Sequence, residues 1–373
     1  EISCSLVGSE MCIRDRIPTG YMGSGSSAVT DLIAEFKDCK NEFKSYEYVL
    51  LHCPNGLFDL EDKLLIGNNA IRSDEALRSF ETQMKKLYNK KYWWVGNYQK
   101  IIGENFMNLV DQYLNKITQF NYDSYWYTHE EVDNKMFLKL LIRKPIKILL
   151  RNKKFKKVLK YKDGMRISLV TPQEFYTYSK EFINNVIEEI SRGAQNVVLD
   201  QFMLPFNMFR IDNYFDDNVR AIVVERDPRD VFILNKYIWG ERQIRVPVPL
   251  DVKMFCQYYR KMRKSEKVTG SNKVLRIKFE DLIYKYDDTL TSIMEHLNFT
   301  EQDHINKKTR FDPDISIKNT QLFNNPIYEQ EVKIIENELK EYIYNFPYSL
   351  NNEVENTVEF DDWYCVDKKY IVR

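Results

Sequence analysis

Glycine and proline are scarce in this 373-residue chain, at 12 and 11 copies, whereas tyrosine and phenylalanine reach 25 and 22. That balance excludes a low-complexity or disordered chain. No internal repeat with a period of roughly 20 to 50 residues is present, which excludes a solenoid or propeller. Net charge is missing too: 55 basic residues balance 55 acidic ones. Whole-chain charge therefore points to no partner, and a nucleic-acid partner is not expected. Long apolar runs are absent, and none reaches the roughly 18 residues a membrane-spanning helix needs. The nearest, "MFLKLLIRKPIKILL", is broken by Lys139, Arg143, Lys144, Pro145 and Lys147. The six cysteines show neither close pairs nor Cys/His spacing. That pattern suggests no metal site and no disulfide framework, and it fits a reduced, cytoplasmic setting.

What is present begins with an oddity. "MCIRDR" (Met11 to Arg16) is similar to a translated transposon-end adapter of the kind used in sequencing libraries. The expectation is that residues 1–16 are such a scar and carry no functional information. Cys4 and Cys12 then leave the cysteine count, and the native strand upstream of Ile17 would be missing or replaced.

Beyond it, apolar runs alternate with amphipathic segments. Ala28, Val29, Leu32, Ile33 and Phe36 share one helix face. "YEYVLLHCPNG" (Tyr46 to Gly56) reads as a buried strand ending in a turn. A helix is expected to start at Ser73, and another runs from the cap Thr171 and Pro172 to Gly193. "NVVLD", "VRAIVVERD" and "KVLRIKFEDL" read as strands, each followed by helical sequence. The pattern predicts an α/β fold, a parallel β-sheet flanked by helices and P-loop NTPase-like, with a helical insertion over about 57–170.

Two stretches carry chemistry. "GYMGSGSSAV" (Gly20 to Val29) lies between an expected strand and a helix. Backbone N–H groups and a helix N-terminus make such a loop an anion site. Gly20, Gly23 and Gly25 allow close approach, and Ser24, Ser26 and Ser27 add hydroxyls. The loop lacks the lysine of the triphosphate-binding Gly-Lys-Ser/Thr pattern. In "VVERDPRDVFILN" (Val223 to Asn235) a strand delivers Arg226 to its carboxyl end, where open α/β sheets bind ligands. A guanidinium there suits phosphate.

Together these stretches resemble the sulfotransferase family, whose donor is 3′-phosphoadenosine 5′-phosphosulfate. In that family a glycine-serine/threonine loop binds the 5′-phosphosulfate, and a strand ending Arg-x-Pro-x-Asp begins the 3′-phosphate site. "VLRIKFEDLIYKYDDTLTSIMEHLNF" (Val274 to Phe299) resembles its later strand–Glu-Asp-Leu–helix segment. The resemblance covers about 17–56 and 196–300. It implies transfer of a sulfuryl group to a hydroxyl without a metal, on a carbohydrate or surface glycan of bacterial type. Two positions depart from the pattern. Gly23 stands where the family has a basic residue, and Leu234 stands where it has a serine. Asn235, one residue on, is turned by about 100° on a helix.

The reaction needs a proton acceptor, for which His52 and Asp200 are the candidates. Arg72 and Lys63 are candidates for the missing loop cation. A late polar loop offers Lys308, Arg310, Ser316 and Lys318 as donor contacts. Aromatic stretches "YWWVGNYQ" and "FNYDSYWYTHEE" offer surfaces for sugar stacking. Arg143 to Lys162 holds basic residues and no acidic one, a run suited to peripheral contact with an anionic membrane. Two other readings stay open: a nucleotide-dependent kinase, and a catalytically weak, membrane-associated nucleotide-binding protein.

Overall fold

The computed structural model describes residues 14–41, 46–90, 95–124, 138, 141–142, 164–240 and 246–350. These residues fall into two compact units. The first lies within Glu1–Cys53, Lys86–Phe106 and Ile183–Arg373, and the second within Pro54–Lys85 and Met107–Phe182. Residues 86–106, inside the expected insertion, thus belong to the first unit.

The first unit is α/β, built on a five-stranded parallel sheet flanked by helices. Strand β1 (Arg14–Gly20) leads to helix α1 (Ser26–Ile33) and the two-residue β2 (Cys39–Lys40). In the second unit β3 (Phe120–Asp123) pairs antiparallel with β4 (Gly164–Ile167). The first unit resumes with β5 (Asn196–Val198), β6 (Arg220–Glu225) and β7 (Val274–Lys278). Sheet order is β2-β5-β1-β6-β7. The chain leaves β1 toward one edge and later returns to fill the other. That reversal at β1 opens a crevice at the carboxyl ends of β1, β5 and β6, the usual ligand position in such sheets. Ile222 and Val224 of β6 and Val29, Leu32 and Ile33 of α1 share one buried apolar cluster. β-Branched strand residues facing an apolar helix stripe are why the sheet and α1 close on each other.

Two local readings are corrected. Tyr46 to Gly56 forms no strand, although Tyr46, Tyr48, Leu50, Leu51 and Cys53 are buried: the amides of His52 and Cys53 both donate to the Val49 carbonyl, curling the chain. The helix expected from Ser73 begins at Ala70 and runs to Asn89, because Asn69 Oδ1 accepts the amides of Ile71 and Arg72. Ser73 instead exchanges hydrogen bonds with the backbone of Ser168. The helix after β6 holds an α segment, Pro228–Ile233, and a π segment, Leu234–Trp239.

Arg14, Asp15 and Arg16, from the segment expected to be a scar, form the first half of β1 and pair with β5. Arg16 is buried and donates from Nη2 to Asn196 Oδ1 at 3.2 Å and to the Leu297 carbonyl at 2.9 Å. Asp15 is buried, and its Oδ1 has no partner. Burial pushes its carboxyl up to about 7, against the nearby Arg16.

Candidate functional site

Gly20 ends β1, and the loop turns at once. A Cβ on Gly20 would lie 2.1 Å from Ser24 Oγ and 2.9 Å from the Val224 carbonyl, so only glycine fits. Gly23 and Gly25 have φ of +80° and +83°, the left-handed region that favours glycine. The Ser24 amide donates to the Tyr21 carbonyl at 2.9 Å, and Gly25 then caps α1 with no side-chain hydrogen bond to the helix amides. The first turn of α1 thus presents unshared N–H groups to the crevice. Ser24 Oγ is buried and unpartnered. A buried hydroxyl without a partner is costly unless a ligand or water meets it.

Arg226 follows β6 and reaches across to this loop. It is 5% exposed, donates from Nη1 to the Gly23 carbonyl at 3.0 Å and from Nη2 to the Asn319 carbonyl, and lies over the Phe279 ring at 4.9 Å. Its Nε has no partner. The rest of the motif holds the frame. Asp227 caps the next helix by accepting the Arg229 amide, and its carboxylate also pairs with the Arg229 guanidinium at 2.8 Å. Asp230 accepts the amides of Gln321 and Leu322 at 2.9 and 2.8 Å. Glu280, from the Glu-Asp-Leu segment, accepts the Asp227 amide at 2.8 Å. The motif therefore stitches the ends of β6 and β7 to the late loop and leaves Arg226 facing the crevice.

At the end of β5, Asp200 is buried with an unpartnered Oδ1. Desolvation, followed by the repulsion of Glu47 and Asp31, raises its carboxyl well above the ordinary range, while a hydrogen bond with Thr30 opposes the rise. Burial also raises Glu47. Next to Asp200, Gln201 adopts φ of 57° and clamps the loop. Its amide N–H donates to the Pro18 carbonyl, its Oε1 accepts from Thr19 Oγ1 at 2.7 Å, and its Nε2 donates to Ser26 Oγ at 3.0 Å. His52 donates from Nε2 to the Gln201 carbonyl at 2.9 Å, and burial lowers its basicity. A ring committed in this way supports the Gln201 turn.

These parts line one cavity of about 540 Å³. Gly20, Gly23, Ser24, Gly25, Ser26, Ser27, Asp200, Arg226 and Ser316 all reach it, with Arg310 and Glu47. His52, Asn235 and Lys318 are not among its lining residues. Asn235 donates to the Val231 carbonyl at 2.8 Å, but its Nδ2 would stand 3.0 Å from a Cβ on Gly23, so it backs the loop. Lys318 is exposed, and Lys308 pairs with Asp314 at 3.1 Å. Arg72 belongs to the second unit, where its guanidinium donates to the carbonyls of Lys63 and Asp62 and caps the helix Leu57–Leu65. Lys63 there pairs with Glu75 at 3.1 Å.

Sequence reasoning missed Gln201, Glu47 and Glu35. The position of Gln201 just after a strand end was a usable signal. Glu47 lay inside a run read as strand. Glu35 is fully buried after α1 and accepts the amides of Arg310 and Phe311 at 2.8 Å, that of Lys308 at 3.2 Å, and His304 Nε2 at 2.7 Å. No local pattern announces a partner so far along the chain.

Several expectations fall outside the described residues: Glu1 to Ile13, Tyr92 to Trp94, the aromatic stretch from Tyr125 onward, and the basic run Arg143 to Lys162. Of the aromatics that are described, Tyr98 is fully buried and its hydroxyl accepts the Val49 amide, so it packs the core. Among the described residues, no group of three or more His, Cys, Asp or Glu side chains could hold a metal ion. None of the described helices is long and apolar enough to cross a membrane.

No family model and no curated protein matches the chain. Among solved structures, the chain is similar to the sulfotransferase domain from the curacin biosynthetic pathway. Identity there is 11% over 92% of this chain and 95% of that one, with a TM-score of 0.32. It is also similar to the sulfotransferase domain from the Synechococcus PCC 7002 olefin synthase, at 12% identity over 91% of this chain and 90% of that one, with a TM-score of 0.34.

Proposed function

We propose that the chain is a sulfotransferase, moving a sulfuryl group from 3′-phosphoadenosine 5′-phosphosulfate to a hydroxyl. One observation carries the reading: the glycine loop, Arg226 and two carboxyls with raised pKa line a single cavity at the sheet's switch point. The unpartnered Ser24 Oγ and Arg226 Nε are donors that an anionic ligand would satisfy. Loop amides, with Ser24, Ser26 and Ser27, would hold the phosphosulfate. Arg226, with Ser316 and Arg310 nearby, would take the 3′-phosphate.

Catalysis here means alignment, charge neutralisation and proton removal. The acceptor oxygen bonds to sulfur as the bond from sulfur to the bridging phosphate oxygen breaks. The acceptor proton passes to Asp200 or Glu47, and adenosine 3′,5′-bisphosphate leaves. Gly23 offers no side-chain cation at the loop tip, so the neutralisation there would fall to the loop amides and the N-terminus of α1. The sugar acceptor suggested by the aromatic stretches rests largely on residues outside those described.

Turnover with sulfur-labelled donor and a mixed panel of hydroxyl acceptors tests the reading. Label should move to an acceptor, and Asp200→Asn with Glu47→Gln should abolish transfer while bisphosphate binding persists. Transfer of the γ-phosphoryl group from ATP, without sulfuryl transfer, would replace this reading with a kinase.

A further inference from the structure

We infer that the acceptor hydroxyl is carried on an apolar body, an aliphatic chain or an aromatic ring, rather than on a sugar. The inference rests on the sulfotransferase reading and deepens it. The cavity has a second wall, formed by Leu204, Phe206, Leu234, Trp239, Val248 and Tyr258. The charged lining residues are Asp31, Glu47, Asp200, Arg226 and Arg310.

The wall starts at the loop's first turn. A Cβ on Gly23 would stand 3.3 Å from Leu234 Cδ2 and 3.8 Å from the Trp239 ring. Phe206 packs edge-on to Tyr21, with ring centroids 5.7 Å apart. The second turn faces different neighbours: a Cβ on Gly25 would stand 2.7 Å from Phe279, the ring beneath Arg226. Arg226 meets the backbone of the loop at the Gly23 carbonyl, whereas the space above the Gly23 Cα opens toward Leu234 and Trp239, and that side is left to the acceptor. The segment from Asp200 to Phe206 joins the proton acceptor directly to the apolar wall, with Leu204 and Phe206 both lining the cavity.

Chemistry then separates the acceptor classes. A sugar seated here would bury several hydroxyls against carbon, each losing its water without a replacement partner. A methylene chain or ring has nothing to lose, and each buried CH₂ adds roughly threefold to fourfold in affinity. Tyr258, which lines the cavity, is also 39% exposed, so that side of the cavity is open to solvent.

The test measures kcat/KM for 1-butanol, 1-hexanol, 1-octanol and 1-decanol, and for glucose and N-acetylglucosamine, at saturating donor. Adenosine 3′,5′-bisphosphate affinity is titrated in parallel, and decanol binding without donor is measured by equilibrium dialysis. The expected result is a rise of roughly threefold per methylene, with sugars at least a hundredfold below decanol. Phe206→Gln should flatten the series and weaken decanol binding, with bisphosphate affinity unchanged. Sugars turned over as well as decanol, or a series with no chain-length dependence, would overturn the inference. So would intact bisphosphate binding with no turnover and no binding of any alkanol. Failure of the bisphosphate itself to bind would instead remove the donor reading, and decanol dialysis against Phe206→Gln would still decide whether the wall takes an apolar body.

Discussion

Arg226 spends two of its donors on carbonyls and keeps Nε free, while its face lies on Phe279. A guanidinium held this firmly is preorganised for a phosphate and loses little entropy on binding it. Arg226→Ala should weaken adenosine 3′,5′-bisphosphate by about ten- to hundredfold, as expected for a charge-assisted contact. Adenosine 5′-monophosphate, which lacks the 3′-phosphate, should be weakened far less. Isothermal titration of both nucleotides checks this, and equal losses would assign Arg226 to the 5′ end. The carboxylates make a second residue-scale prediction. Asp200 faces Glu47, Asp31 and the Thr30 hydroxyl, and both Asp200 and Glu47 are shifted upward by burial. A base must be deprotonated to act, so kcat/KM should rise with pH through a value well above the ordinary carboxylate range of about 4. Asp200→Asn should remove that limb, and a limb unchanged in the variant would exclude Asp200 as the group reporting it. Arg226 and Asp200 were legible because each ends an apolar strand. Glu47 was not, because a short apolar run does not say whether it will be strand or buried coil.

At the scale of elements, α1 does more than end the glycine loop. Glu35 follows it and gathers four N–H groups from the segment His304 to Phe311, which brings Arg310 to the cavity. Glu35→Gln turns one acceptor into a donor facing other donors. Amide exchange at Lys308, Arg310 and Phe311 should speed up at least tenfold, with a stability loss of about 1–3 kcal/mol. Unchanged exchange would show that the segment is held elsewhere. Strand β1 carries the other element-scale prediction. Asp15 is raised to about 7 in the fold. Its unfolded value is near 3.9, so the folded state alone keeps the proton between about pH 4 and 7. The contribution of Asp15 to stability should fall as pH rises through that window, by at most ~4 kcal/mol, and stay level above it. Asp15→Asn should remove that part of the fall, as read from urea midpoints at pH 4.5 and 8. The same slope in both proteins would contradict the burial argument. The π segment after β6 was not legible, since a helix-period pattern carries no mark of one widened turn, and both Leu234 and Asn235 at its start lie against Gly23.

Across the whole molecule, the parallel sheet was legible because its strands are nearly continuous apolar runs, whereas their order, and with it the switch-point crevice, is seen only in the fold. The glycine loop and the Arg226 motif lie 203 residues apart yet meet through one hydrogen bond, from Arg226 Nη1 to the Gly23 carbonyl. What escaped were partners fixed by the fold alone, such as Gln201 across β1 and Glu35 under the late loop. Sulfuryl transfer from this donor requires a site for a nucleotide bearing both 5′- and 3′-phosphates. Isothermal titration of the unmodified protein with adenosine 3′,5′-bisphosphate, and with ATP as comparison, tests it most directly. The account predicts saturable binding of the bisphosphate, without added metal, at least tenfold tighter than ATP; no bisphosphate binding, or a preference for ATP with magnesium, would contradict it.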